Sequence, residues 1–263
     1  MAFPTLQAQG TVNAVTAGNL AITLPAYAAD DIVVITTVGY VPNTTTGTNT
    51  QTLASPWTKY TPDVTRITGG LIDSEHAFWW ARATSTVSLG TSVSITRPTS
   101  WDTGTDTAWG GRAYVVRGCG TIGDPFDELV ASTPVNTANP QIPAITVNGL
   151  ERTVIAFYVA SDNLTAPTAA TGYTPGTAAI NNTGTDTGFQ TYLDQTNTSV
   201  VATTPTGGAT SAQNFQVYFV ASFVPLPVVS STATGSGLGS ETATGNIPSV
   251  GINHSYWGTD ALL

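Results

Sequence analysis

Ile32-Val33-Val34-Ile35-Thr36-Thr37-Val38 is an unbroken run of β-branched side chains, and Val154-Ile155-Ala156-Phe157-Tyr158-Val159 has the same apolar character in the second half of the chain. Such side chains suit a pleated surface and lose rotamer freedom in a helix. Outward from these two runs lie further short bursts: Ile22–Leu24, Ala77–Ala81, Val93–Ile95, Arg112–Val116, Ile145–Val147, Phe189–Leu193, Val200–Ala202 and Phe215–Val224. Each reads as a strand. Between them stand loops such as 42–51 (PNTTTGTNTQ) and 98–111 (PTSWDTGTDTAWGG), whose Thr, Asn, Asp and Gly residues compete with a helix for the backbone. With 49 Thr, 26 Gly and 16 Pro in 263 residues, the expectation is an all-β protein, a jelly-roll-like antiparallel β-sandwich.

The order of apolar strand, aromatic-Thr turn, aromatic strand, aromatic strand occurs twice. The first pass is Ile32–Val38, Pro56-Trp57-Thr58, Trp79-Trp80-Ala81-Arg82 and Ala113-Tyr114-Val115-Val116. The second is Val154–Val159, Gly172-Tyr173-Thr174-Pro175, Gln190-Thr191-Tyr192-Leu193 and Val217-Tyr218-Phe219-Val220. Two related strand sets, residues 20–120 and 145–225, therefore share one sandwich over residues 20–229, with residues 1–19 an arm or edge strand. From residue 230 the chain becomes a Ser/Thr/Gly-rich linker, which lacks the apolar surface to order itself, followed by an apolar terminus. Ile252, Tyr256, Trp257, Leu262 and Leu263 are costly to leave in water and are the candidate docking residues of this extended C-terminal arm.

Only 9% of residues are charged, where about 25% is ordinary, and the net charge is −9. All seven basic residues lie between Lys59 and Arg152, so the clustered positive charge that displaces counterions from nucleic acid is missing. No apolar run reaches the length of a membrane span, and the start lacks the pattern of a secretory signal, so the chain is expected to be made in the cytoplasm. Cys119 has no partner within the chain for a disulfide.

Asp102-Thr103-Gly104 and Asp186-Thr187-Gly188 outline the two triplets of an aspartic protease, but neither Asp follows an apolar strand, and both read as turns in Thr-rich loops. His76 and His254 are the two imidazoles, and no Gly-x-Ser-x-Gly elbow accompanies them. Asp73, Glu75 and His76 on one strand cannot all point to one side, which argues against a shared metal. Asp102 and Asp106, in an Asp-x-Gly-x-Asp loop, can place oxygens around calcium but lack the additional carboxylate of a tight site. No cofactor and no catalytic residue is expected. Of the six tryptophans, Trp80, Trp101 and Trp109 are candidates for stacking on a sugar face; the bland reading is packing between strands.

Leu24-Pro25-Ala26-Tyr27-Ala28-Ala29-Asp30-Asp31-Ile32-Val33-Val34 resembles the opening of a β-sandwich domain frequent in tail and capsid accessory proteins of tailed bacteriophages. Pro56-Trp57-Thr58, Phe78-Trp79-Trp80-Ala81-Arg82, Tyr114-Val115-Val116-Arg117-Gly118, Gly123-Asp124-Pro125-Phe126 and the Gly-Tyr-Thr-Pro turn at 172–175 continue the likeness. Asp30-Asp31 stands where that family has Gly-Asp, and Cys119 follows the Arg-Gly. The resemblance implies a non-enzymatic virion protein, a head decoration or a tail or fibre component, with capsid or tail proteins as partners. A symmetric homo-oligomer, preferably a trimer, is expected with it. The alternative is a glycan-binding adhesin on the same scaffold.

Overall fold

The computed structural model describes residues 3–45, 50–68, 71–98, 101, 108–135, 140–161, 170–181, 187–194, 215–227, 230–234 and 240–244. Among them every regular element is a strand. In chain order these are β1 (Thr5–Gln9), β2 (Asn13–Val15), β3 (Leu20–Thr23), β4 (Ile32–Thr45), β5 (Thr58–Lys59), β6 (Val64–Thr68), β7 (Leu71–Arg82), β8 (Ser92–Ile95) and β9 (Ala108–Arg117). The second half supplies β10 (Phe126–Ala131), β11 (Thr153–Ser161), β12 (Thr174–Pro175), β13 (Ala179–Asn181), β14 (Thr187–Asp194) and β15 (Phe215–Phe223). Last come β16 (Ser230–Thr234) and β17 (Ser240–Thr244).

Two antiparallel sheets hold most of the chain. The first runs β1-β9-β4-β7-β5, with β2 also on β9 and β6 on β7; the second runs β10-β15-β11-β14-β12, with β13 also on β14. The strands at the centre are covered on both faces, which is why they read as continuous apolar runs rather than alternations. Ile32 through Val38 are all fully buried, and so is β11 from Thr153 to Ser161. One face of each sheet meets the other in a shared interior built around Phe78, Tyr114, Phe157, Phe219 and Phe223. The outer face of the first sheet lies under the two-stranded β3–β8 sheet and Trp101, and that of the second under Ile142, Ile145, Ala170 and Tyr173.

The two sheets are copies of one plan. Ile35 stands opposite Trp79 and Ala113 in the first sheet, and Ala156 stands opposite Tyr192 and Val220 in the second. One residue earlier, Val34 faces Trp80 and Tyr114, while Ile155 faces Leu193 and Ala221. Thr58 of the aromatic-Thr turn pairs with Trp80, and Thr174 pairs with Leu193. The edge strands match as well: β1 carries a bulge between Leu6 and Ala8, and β10 carries one between Phe126 and Glu128. Matching positions also face matching ways, with Val34, Tyr114, Ile155 and Ala221 inward, Ile35 and Trp79 under one outer layer, and Ala156 and Tyr192 under the other. Past β9 and β15 the chains cross antiparallel, Cys119 bridging Pro225 while the Leu226 N–H donates to the Gly118 carbonyl at 2.9 Å. That reciprocal contact is what a two-fold axis along the strands produces.

The antiparallel sandwich is therefore as expected from the sequence, with two changes. Each sheet is assembled from its own half of the chain rather than by the crossing between sheets that a jelly roll requires. The first copy also extends back past residue 20, because of the two readings given to residues 1–19, an arm or an edge strand, Thr5–Gln9 is the edge strand of its sheet.

Both copies enter their central strand through a residue in the left-handed region, Asp30 (φ 67°) and Glu151 (φ 61°), which are the two non-glycine residues with positive φ among those described. Glycine adopts this backbone without a Cβ clash, whereas Asp30 carries the clash of an L side chain. Asp30→Gly is accordingly expected to fold at least as stably as the parent, and Asp30→Val to lose about 1–2 kcal/mol. Urea unfolding reads both, and the reverse order would contradict the left-handed turn.

Candidate functional site

The charged residues are few, and the structure binds them into the framework. Asp31, buried at the mouth of β4, accepts two hydrogen bonds from Arg117 at the end of β9, both 2.8 Å, and a third from the Ala28 N–H at 2.7 Å. In the second copy the matching residue is Arg152, whose Nε donates to Asp127 on β10 at 2.6 Å. The same corner is closed by an ion pair of opposite polarity. Arg112 is buried on β9 and donates to the carbonyls of Gly10 (2.7 Å) and Thr177 (2.8 Å), tying the first sheet to the second.

The most concentrated polar cluster lies on the outer face of the first sheet. Glu75 on β7 accepts the Gln51 N–H at 3.0 Å, Gln51 takes a hydrogen bond from the Thr37 hydroxyl, and Lys59 lies 3.6 Å from Glu75 while pairing with Asp63. The Lys59 ammonium also sits 5.0 Å from the centroid of the Trp79 ring. Burial raises the Glu75 carboxyl to about 7, outweighing the Gln51 N–H and the Lys59 charge that favour its ionised form. His76, next in sequence, points into the shared interior, with Nε2 3.2 Å from the Phe215 carbonyl. Burial lowers it to about 4, so it is neutral. The strand thus sends Glu75 and His76 to opposite faces, as the alternation of side chains requires.

Other residues singled out in the sequence are placed as follows. Trp101 and Trp109 do not present their rings to a sugar: they are buried at 4% and 1% exposure, edge to face at 5.3 Å, with Trp101 seated over Gly39, where a Cβ would lie 2.1 Å from its ring. The loop position that suggested exposure instead anchors the outer layer. Trp80 is half-buried against Phe126, 5.4 Å between centroids. Cys119 is buried and its thiol is pushed up to about 12 by that burial, which leaves it without thiolate reactivity at neutral pH. Among the described residues no three His, Cys, Asp or Glu groups gather as metal ligands. Asp102, Asp106, Asp186, His254, Ile252, Tyr256, Trp257, Leu262 and Leu263 lie outside the described residues.

Sequence reasoning missed Asp31 with Arg117, Arg112, and the Glu75–Gln51–Lys59 cluster. The first pair had a signal, since Asp31 and Arg117 are charged residues at the very ends of the apolar runs 32–38 and 113–116. Gln51 had none, being inside a polar loop like its neighbours.

Glu75 and His76 act on stability with opposite signs. Glu75 keeps its proton in the folded chain up to about 7 but loses it near 4.5 when unfolded, so its contribution is full below 4.5 and lost as pH rises through 7. His76 is neutral in the folded chain down to about 4 and protonates near 6.5 when unfolded, so its contribution is full above 6.5 and lost as pH falls through 4. Over the shared window the two offset each other. Glu75→Gln is expected to leave stability rising with pH, and His76→Phe, which installs the residue of the matching position Phe189, to leave it falling, each by up to about 3 kcal/mol. Urea unfolding across a pH series measures this, and parallel profiles for all three proteins would contradict it. Comparison with protein-family models, with curated proteins and with solved structures gives no match to this chain.

Proposed function

We propose that the chain is a non-enzymatic structural protein of a tailed-bacteriophage virion, a head decoration or a tail or fibre component, attached to capsid or tail proteins through residues 230–263. The observation that carries this reading is the use to which its described polar side chains are put. Asp31, Glu75, His76, Arg112, Arg117 and Arg152 each bind backbone or a charge partner across a seam of the fold. Charges held in this way brace strands against one another, which is the duty of a framework.

Two further features support it. The residues that carry the family likeness have framework roles: Asp31 and Arg117 close a corner, Trp57 and Trp79 pack in the outer layer, and Pro125-Phe126 leads into β10. The hairpin β16–β17 forms a sheet of its own beyond the sandwich. An isolated two-stranded hairpin is marginal in water, so a neighbouring subunit is the natural support for this one. The acidic surface, net charge −9, suits solubility at the high local density of a symmetric homo-oligomer on a particle, for which a trimer is the preferred number.

Removing residues 230–263 tests the reading. The truncated protein is expected to fold, since the sandwich closes on itself through Cys119, Pro225 and Leu226, and to be absent from purified particles. Normal incorporation of the truncated chain would overturn attachment through the arm.

A further inference from the structure

The two-fold relation gives the sandwich two matching flanks, and they are not filled alike. On one flank the Gly176 N–H donates to the Thr191 carbonyl at 2.7 Å, and the Arg112 guanidinium crosses the seam to the carbonyls of Gly10 and Thr177. Val12 packs beside it against the shared interior. On the other flank the matching bond is present, Tyr60 N–H to the Phe78 carbonyl at 2.9 Å. Here, however, β15 has Phe219 at the position of Arg112, lying edge-on to Tyr60 at 6.0 Å, and Ser132 takes the place of Val12. The Ser132 hydroxyl accepts the Tyr218 N–H at 2.9 Å and fills none of the seam. What remains is an open hollow of about 230 Å³ lined by Tyr60, Pro62, Asp63, Thr65, Ala131 and Thr133.

We propose that this hollow is a docking site for an arginine side chain of a different protein, which completes from outside the seam that Arg112 completes from within on the opposite flank. Asp63 supplies the charge. Although it pairs with Lys59, a carboxylate has lone pairs for a second cation, and the Tyr60 ring offers a π face. A planar guanidinium suits such a slot better than a hydrated ammonium does. Among the described side chains Lys59 holds Asp63, Arg82 a carbonyl, Arg112 two carbonyls, Arg117 Asp31 and Arg152 Asp127, and Arg97 is engaged as well, which favours a donor of different sequence over a second copy of this chain. A net charge of −9 favours a basic partner surface.

The test is titration of the full-length protein with N-acetyl-arginine amide, and separately with the uncharged isostere N-acetyl-citrulline amide, followed by backbone amide NMR. Saturable shifts confined to residues 63–65 and 131–133 are expected with the arginine probe alone. Thr133→Trp, at an exposed rim position, should cover the hollow and abolish them with the rest of the spectrum unchanged, and Asp63→Asn should weaken them several-fold. No saturable shift, equal shifts with the citrulline probe, or shifts that persist in Thr133→Trp and Asp63→Asn would each overturn the proposal.

Discussion

Phe157 sits where the two halves of the molecule meet. Its ring lies 5.6 Å from Phe78 and 5.0 Å from Tyr114 of the opposite sheet, and 6.5 Å from Phe223 of its own. Edge-to-face rings of this kind add to the burial they already contribute, and truncating a buried Phe to Ala typically costs about 3–5 kcal/mol. Neither sheet closes into a barrel, so each must cover its inner face with the other, and the strands on either side of Phe157 take their buried character from that requirement. The outer layers are a second consequence: once β4 and β11 are apolar on both faces, the far faces also need cover, supplied by β3 with β8 and Trp101 on one side and by Ile142, Ile145 and Tyr173 on the other.

Duplication has kept geometry more faithfully than chemistry. The corner before β4 and the corner before β11 share a left-handed residue followed by an ion-paired one, yet the first uses Asp31 with Arg117 and the second Arg152 with Asp127. What both corners need is a charge-assisted tie holding the entering chain to another strand of its own sheet, β9 in the first copy and β10 in the second, and either polarity provides it. His76 and Phe189 make the same point inside the sandwich, as do Arg112 and Phe219 at its flank. In each pair one copy is polar and bonded to backbone while the other is aromatic and packed.

Much of this was legible in the residues. The runs at 32–38 and 154–159, and the aromatic-Thr turns at 56–58 and 172–175, mark the same strands in both copies because central strands buried on two faces leave a continuous apolar signature. The edge strand Thr5–Gln9 was harder to read: half-exposed, bulged and short, it carries little periodicity. Polar ties such as Gln51 to Glu75 join residues distant in sequence, and no local pattern announces them. Trp101 misled for a related reason. A loop position suggests exposure, but Gly39 leaves a recess on β4 that the indole fills, and that recess exists only once the strands are paired.

If the shared interior is what both sheets depend on, they must be lost together. Native-state hydrogen exchange of the amides in β4 and β11 measures this most directly. Residues 33–38 and 154–159 are predicted to exchange only by an opening that has the same free energy and denaturant dependence in both strands, equal to those of global unfolding. Exchange of one strand through a smaller opening while the other stays protected would contradict the account, showing that one sheet stands without its mate.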